Sequence, residues 1–168
     1  MTDKARSEFL DFNIQFSRIA VQNRLGDFRS AASGLERLKL LRTSTIYQAR
    51  RWAVEQLEGN INEGMGQYAA AEGRYSKSYR NLVEREEWRG ASFAALDLAA
   101  LYSRQDMREE MLNVVSKLIP ILDSLELHPE TVAAVALLSK ALADGRIQYG
   151  LLAEVRSKLQ SDPLLRLS

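Results

Sequence analysis

The sequence predicts an all-α protein built from repeated helical hairpins. Three observations carry that expectation. Apolar residues recur at three- and four-residue spacing along the chain, as in Phe9, Phe12, Phe16, Ile19 and then Asn23, which is one face of an α-helix. Strand signals are scarce, because no alternating run of β-branched residues persists and no Asn-Gly or Asp-Gly turn separates such runs. The chain also aligns with itself at a shift of about 40 residues.

The elements follow in order. The first helix is expected to start at an N-cap near Thr2-Asp3 and to run to about Asn23. Breaks then fall at Leu25-Gly26-Asp27, Thr43-Ser44-Thr45, Glu63-Gly64-Met65-Gly66, Glu86-Glu87, Gln105-Asp106, Leu127-His128-Pro129 and Asp144-Gly145. Seven breaks delimit eight helices. Met111, Val115, Leu118 and Leu122 mark the buried face of the sixth, which also contains Pro120 and should bend there. Ser161-Asp162-Pro163 stops the last helix. The apolar tail Leu164 to Leu167 either folds back as a lid on the last pair or serves as a docking segment.

At the 40-residue shift the breaks coincide. Gly26, Gly66 and Asp106 align, and Gly145 falls one residue off register. Phe28 meets Tyr68; Ala31 meets Ala71 and Met111; Leu35 meets Tyr75, Val115 and Val155. Four units result, residues 11–50, 51–90, 91–130 and 131–168, each a helix, a tight turn and a second helix. A Gly at the turn supplies the left-handed conformation that ends the first helix. The aromatic two residues on opens the second helix, the Ala lets the two axes approach, and the large residue one turn later fills the gap. One hairpin cannot bury its own apolar face, so units of this kind stack.

The pattern Gly66, Tyr68, Ala71, Tyr75, together with Leu98-Ala99 followed by Tyr102, resembles the tetratricopeptide (TPR) repeat, in the longer-repeat form found in bacterial proteins. The resemblance implies a right-handed TPR-like solenoid of about four antiparallel helix pairs. It departs from the usual pattern in its period, in the missing Pro after the second helix, and in Asp106 and Met111 of the third unit.

Composition excludes several classes of function. The chain has 168 residues, with 23 Lys plus Arg against 22 Asp plus Glu. Such a balance argues against a coat for DNA or anionic membrane. With no Cys and one His, the chain holds no disulfide, no Cys-ligated zinc, no iron–sulfur cluster, no thiol nucleophile and no two-His metal site. Neither a phosphate-binding loop of the GxxxxGK[ST] kind nor a GxGxxG after a strand occurs. No signal-like apolar run opens the sequence, and the apolar stretch ending at Tyr102 is broken by Asp97 and too short to span a bilayer. A soluble, cytoplasmic protein with no cofactor and no metal is expected.

Few residues invite chemistry. His128 precedes Pro129 at a helix start, with no nucleophile beside it in sequence. Glu84, Glu86 and Glu87 interleave with Arg80, Arg85 and Arg89 at helical spacing, as ordinary surface pairs do. Asp97 lies in an apolar helix, so it needs a partner. Arg50, Arg51 and Asn60 of the preceding unit are the candidates, and Asp97 either holds units in register or floors a groove. Arginines from Arg42 to Arg89 alternate with glutamates from Glu36 to Glu87, which dilutes any phosphate track and makes nucleic-acid binding a minor reading.

In the TPR family the first helices of the units line a concave face. Carried onto this sequence position by position, the resemblance implies a partner-binding wall of Asn13, Phe16, Asn23, Gln56, Asn60, Glu63, Leu96, Arg104 and Lys140. Asn and Gln would satisfy a peptide backbone, and Arg and Lys its acidic groups. The Lys/Asn clamp that chaperone-binding members use for a C-terminal carboxylate is not reproduced, because Ala100 and Asp97 stand where a second Asn is wanted. The expectation is a non-enzymatic scaffold or adaptor that binds another protein or peptide. The alternatives are a self-association module that forms homo-oligomers and a ligand-sensing helical domain.

Overall fold

The computed structural model describes residues 3–166, and every regular element among them is an α-helix. The order is α1 (Asp3–Arg24), α2 (Phe28–Lys39), α3 (Thr45–Ala49), α4 (Arg51–Gly64), α5 (Tyr68–Glu84), α6 (Trp88–Arg104), α7 (Arg108–Asp123), α8 (Pro129–Ala143), α9 (Tyr149–Ser161) and α10 (Pro163–Arg166). All seven expected breaks are present. The expected cap at Thr2 and the end of the tail, Leu167 and Ser168, lie outside the described residues. None of the described helices is long and apolar enough to cross a membrane.

Two short helices were not anticipated. α3 forms because Ser44 caps it: its hydroxyl oxygen accepts the Tyr47 N–H at 3.3 Å and its hydroxyl donates to the Leu41 carbonyl at 2.8 Å. α10 forms because Pro163, which ends α9, also suits the first position of a new helix. Asp162 caps it, accepting the N–H of Leu164 at 2.9 Å. Leu165 is thereby turned inward and buried, and Arg89 of α6 donates to its carbonyl. The described part of the tail folds back onto α9.

The turns share one hydrogen-bond pattern. Gly26, Gly66, Asp106 and Gly145 all have positive φ, between 58° and 79°, and so does Glu86, at 57°. At each, the left-handed residue donates to the carbonyl three back and its successor to the carbonyl five back. Examples are Gly66 to Glu63 at 2.9 Å with Gln67 to Asn62 at 2.8 Å, and Glu86 to Val83 at 3.0 Å with Glu87 to Leu82 at 2.9 Å. This is the Schellman ending, which satisfies the orphan carbonyls of the outgoing helix. Glu86 and Asp106 adopt it without glycine's freedom, and an acidic side chain in that region is strained relative to Gly.

The chain divides into two compact units, Met1–Lys77 and Ser78–Ser168, and the division falls inside α5. In the first unit α1 and α2 form an antiparallel hairpin, and α4 lies against both. Phe12, Ile19, Leu35, Leu38, Val54, Leu57 and Ile61 make its core. Each such fully buried side chain contributes about 1.5–3 kcal/mol. Ala31 and Ala71 are fully buried, as the expected close approach requires. Glycine does the same elsewhere in this unit. A Cβ on Gly34 would stand 2.8 Å from Ile19, and one on Gly59 would stand 2.4 Å from the Tyr75 ring. Tyr75 therefore fills space within its own hairpin, against α4.

The second unit is arranged differently. α6 packs on α7, α7 on α8 and α8 on α9, and α9 returns to α6. A continued solenoid would set the next pair's first helix, α8, beside α6. Here α9 occupies that position, which closes four helices into a bundle. Leu96, Leu101, Leu118, Leu122, Leu138 and Leu152 fill it. Asp97 is the ionic contact on the α6–α9 seam. Its partner is Arg156 of α9, whose Nε and Nη2 each donate to one carboxylate oxygen, with Nη2 at 3.2 Å from Oδ2. Of the partners expected from sequence, Arg51 instead pairs with Glu55, and Asn60 meets Tyr75. Pro120 lies on the exposed side of α7.

Candidate functional site: a cationic cleft in the first unit

The residues expected to line a partner wall are mostly occupied. Asn13 donates its amide to the Phe9 carbonyl of its own helix at 2.9 Å. Phe16 stacks on Phe12, ring centroids 5.9 Å apart. Asn23 is half-buried with its amide oxygen turned inward. Asn60 and Glu63 are brought together by the Tyr75 hydroxyl, which lies 2.6 Å from the Asn60 amide oxygen and 2.9 Å from Glu63 Oε2. That hydroxyl has one proton, so it donates to one of these acceptors at a time. Two members need correcting outright. Leu96 is fully buried and belongs to the bundle core, and Gln56 is 7% exposed, so neither presents a surface. Arg104 is exposed but engaged: it donates to the Tyr149 hydroxyl and its guanidinium sits 4.6 Å from that ring's centroid. Lys140 is exposed on α8.

His128 caps α8, and its backbone N–H donates to Asp162 Oδ2 at 2.9 Å. Asp162 is buried. Burial pushes its carboxyl up, but the Thr131 side chain and the N–H groups of His128, Leu164 and Leu165 outweigh that and hold it below the ordinary carboxylate value. It staples the α8 start to α10.

Elsewhere the first unit contains a cleft of about 530 Å³. Five cations line it: Lys39 from α2, Arg42 from the following loop, Arg51 from α4, and Arg74 and Lys77 from α5. Two carboxylates stand beneath them. Glu58 pairs with Lys39 at 2.8 Å and Arg74 at 3.1 Å, and Glu55 pairs with Arg51 at 3.1 Å and Lys77 at 3.2 Å. The depths differ. The glutamate side chains are 7% and 12% exposed, whereas those of the cations that pair with them are 27–48% exposed. Arg42 is exposed as well. Glu55 Oε2 is buried without a hydrogen-bond donor among the described residues.

The local fold explains the arrangement. α3 sets Tyr47 on the cleft wall, its ring edge-on to Phe12 at 6.2 Å. Burial raises the Tyr47 pKa. The ammonium of Lys39 and the guanidinium of Arg51 work against that shift, and the carboxylates of Glu58 and Glu55 add to it. For Lys39, burial works to lower the pKa, but hydrogen bonds to Glu36 and Glu58 prevail and raise it. The two buried carboxylates position the cations and partly neutralise them, and the surplus positive charge faces water. Arg42, Arg51 and Arg74 offer forked donors of the kind that match a carboxylate.

Counting signs along the sequence missed this cleft, since the glutamates between Arg42 and Lys77 look like dilution. The spacing of Arg51 and Glu55 is the one local signal. Compared with known proteins, the chain matches no family model, no curated protein and no solved structure.

Proposed function

We propose that the chain is a non-enzymatic adaptor whose first unit is a TPR-like stack of helical hairpins, and that the cationic cleft of this unit receives an acidic segment of a partner protein. The carrying observation is the layering of partly exposed cations over the deeper Glu55 and Glu58. The position of α4 against both α1 and α2 supports the stack. The anion site thus lies on α2, α4 and α5 and the loop at Arg42, rather than on the wall carried over from the resemblance.

Fluorescence anisotropy with a labelled Glu-rich peptide tests the reading. Binding should weaken with added salt and fall by about tenfold or more in Arg42→Glu/Arg74→Glu, about 1.4 kcal/mol or more. A Lys-rich peptide should not bind. Equal binding by the variant, or none by the folded wild type, would discard the cleft.

A further inference from the structure

The helix α1 has two apolar faces, and its own unit covers one of them. Phe12 and Ile19 are buried and Phe16 is half-buried, on the side turned toward α2 and α4. On the opposite side stand Leu10 at 51% exposure, Ile14 at 65%, Val21 at 43% and Leu25 at 79%. At 3.6 residues per turn these four fall within an arc of about 60° and extend for about 22 Å. Leu25 directly follows the helix and still donates to the Val21 carbonyl at 3.0 Å, so the stripe is continuous. A single exposed leucine is ordinary, but four large aliphatics aligned on one face are a surface that water solvates poorly.

The edges of the stripe say what covers it. Arg6 and Arg24 flank one side and Arg18 and Asp11 the other, all exposed and without an ion pair among the described residues. Three guanidinium groups against one carboxylate disfavour a second copy of the same face. An antiparallel pairing that matches Leu10 with Leu25 and Ile14 with Val21 would also set Arg18 against its own copy. We propose that this face docks an amphipathic helix of a partner protein, with an apolar stripe bordered by acidic residues. Apolar burial would supply the affinity, and the arginines the orientation and choice of partner. This inference does not depend on the cleft.

The test uses two labelled synthetic amphipathic peptides of about three heptads, with Leu at a and d and either Glu or Lys at e and g. The Glu-flanked peptide should bind the full chain at least about tenfold more tightly than the Lys-flanked one. Ile14→Asp should cost about tenfold or more in that binding. Arg18→Glu/Arg24→Glu should reverse the preference. Because these side chains are exposed, circular dichroism melts should hardly move. Arg42→Glu/Arg74→Glu should leave this binding unchanged, which separates it from the cleft. Failure of both peptides to bind at about 100 μM, binding indifferent to Ile14→Asp, or concentration-dependent dimerisation lost in Ile14→Asp would each overturn the proposal, the last in favour of a second copy.

Discussion

The two units end their helices with the same turn and then use their helices in opposite ways. In Met1–Lys77, α4 settles against α1 and α2, which leaves the outer face of α1 uncovered and an open cleft beside α3. In Ser78–Ser168, α9 comes back to α6 and the ring is closed. Their carboxylates differ accordingly. Glu55 and Glu58 each hold two partly exposed cations, whereas Asp97 is clasped by one, Arg156, and Asp162 caps backbone. A repeat in the sequence therefore specifies the hairpin and its turn. Which helices then pack together depends on which one fits the next apolar face.

The close approach in the first unit gives the largest expected effect. A Cβ at Gly59 would meet a buried Tyr75 ring at 2.4 Å. Gly59→Ala should cost about 2–4 kcal/mol by overpacking, despite a gain in helix propensity of about 1 kcal/mol. Gly73 of α5 has open space around its Cβ position. Gly73→Ala should accordingly raise stability by about 0.5–1 kcal/mol. Urea melts of the two variants check the pair, and equal effects would mean that α4 and α5 are not in close contact at Gly59.

The seam of the second unit comes next. Asp97→Ala strands the Arg156 guanidinium, whose side chain is 32% exposed and 5.6 Å from the Phe93 ring centroid. Losing one partner of a buried pair costs about 3–5 kcal/mol, and the partial exposure of Arg156 brings the expected loss to about 2 kcal/mol. Glu58→Gln in the first unit should cost less than about 1 kcal/mol, because the amide oxygen still accepts from Lys39, which also keeps Glu36 at 2.8 Å. A larger loss from Glu58→Gln than from Asp97→Ala would reverse the contrast between the units.

Local chemistry was legible in the sequence. The left-handed turns at Gly26, Gly66 and Asp106 fall where the 40-residue shift places them, Gly145 falls one residue before, and Ala31 and Ala71 are buried as their spacing requires. Partners distant in sequence were not legible. Asp97 announces its need for a cation, but nothing near it points to Arg156, since that pairing depends on α9 returning to α6. The cleft was hidden for a related reason. Alternating Arg and Glu read as a neutral surface, and only the fold sinks the glutamates below the arginines.

The last expected effect concerns pH. Asp162 is held below its ordinary value of 3.8 by the donors that converge on it from α8 and α10. The folded state therefore binds this proton more weakly than the unfolded chain does. The resulting stability is fully present above about pH 4 and is lost as the pH falls through the depressed folded value. Asp162→Asn keeps one acceptor oxygen but sets an amide N–H₂ against a donor, which should cost about 1–2 kcal/mol at neutral pH. It should also flatten the acid limb of the stability curve. Urea midpoints measured from neutral pH down to about pH 3 follow both, with the acid slope as the discriminating quantity. An unchanged slope would mean that Asp162 does not titrate with folding, and that its charge is not what ties the start of α8 to α10.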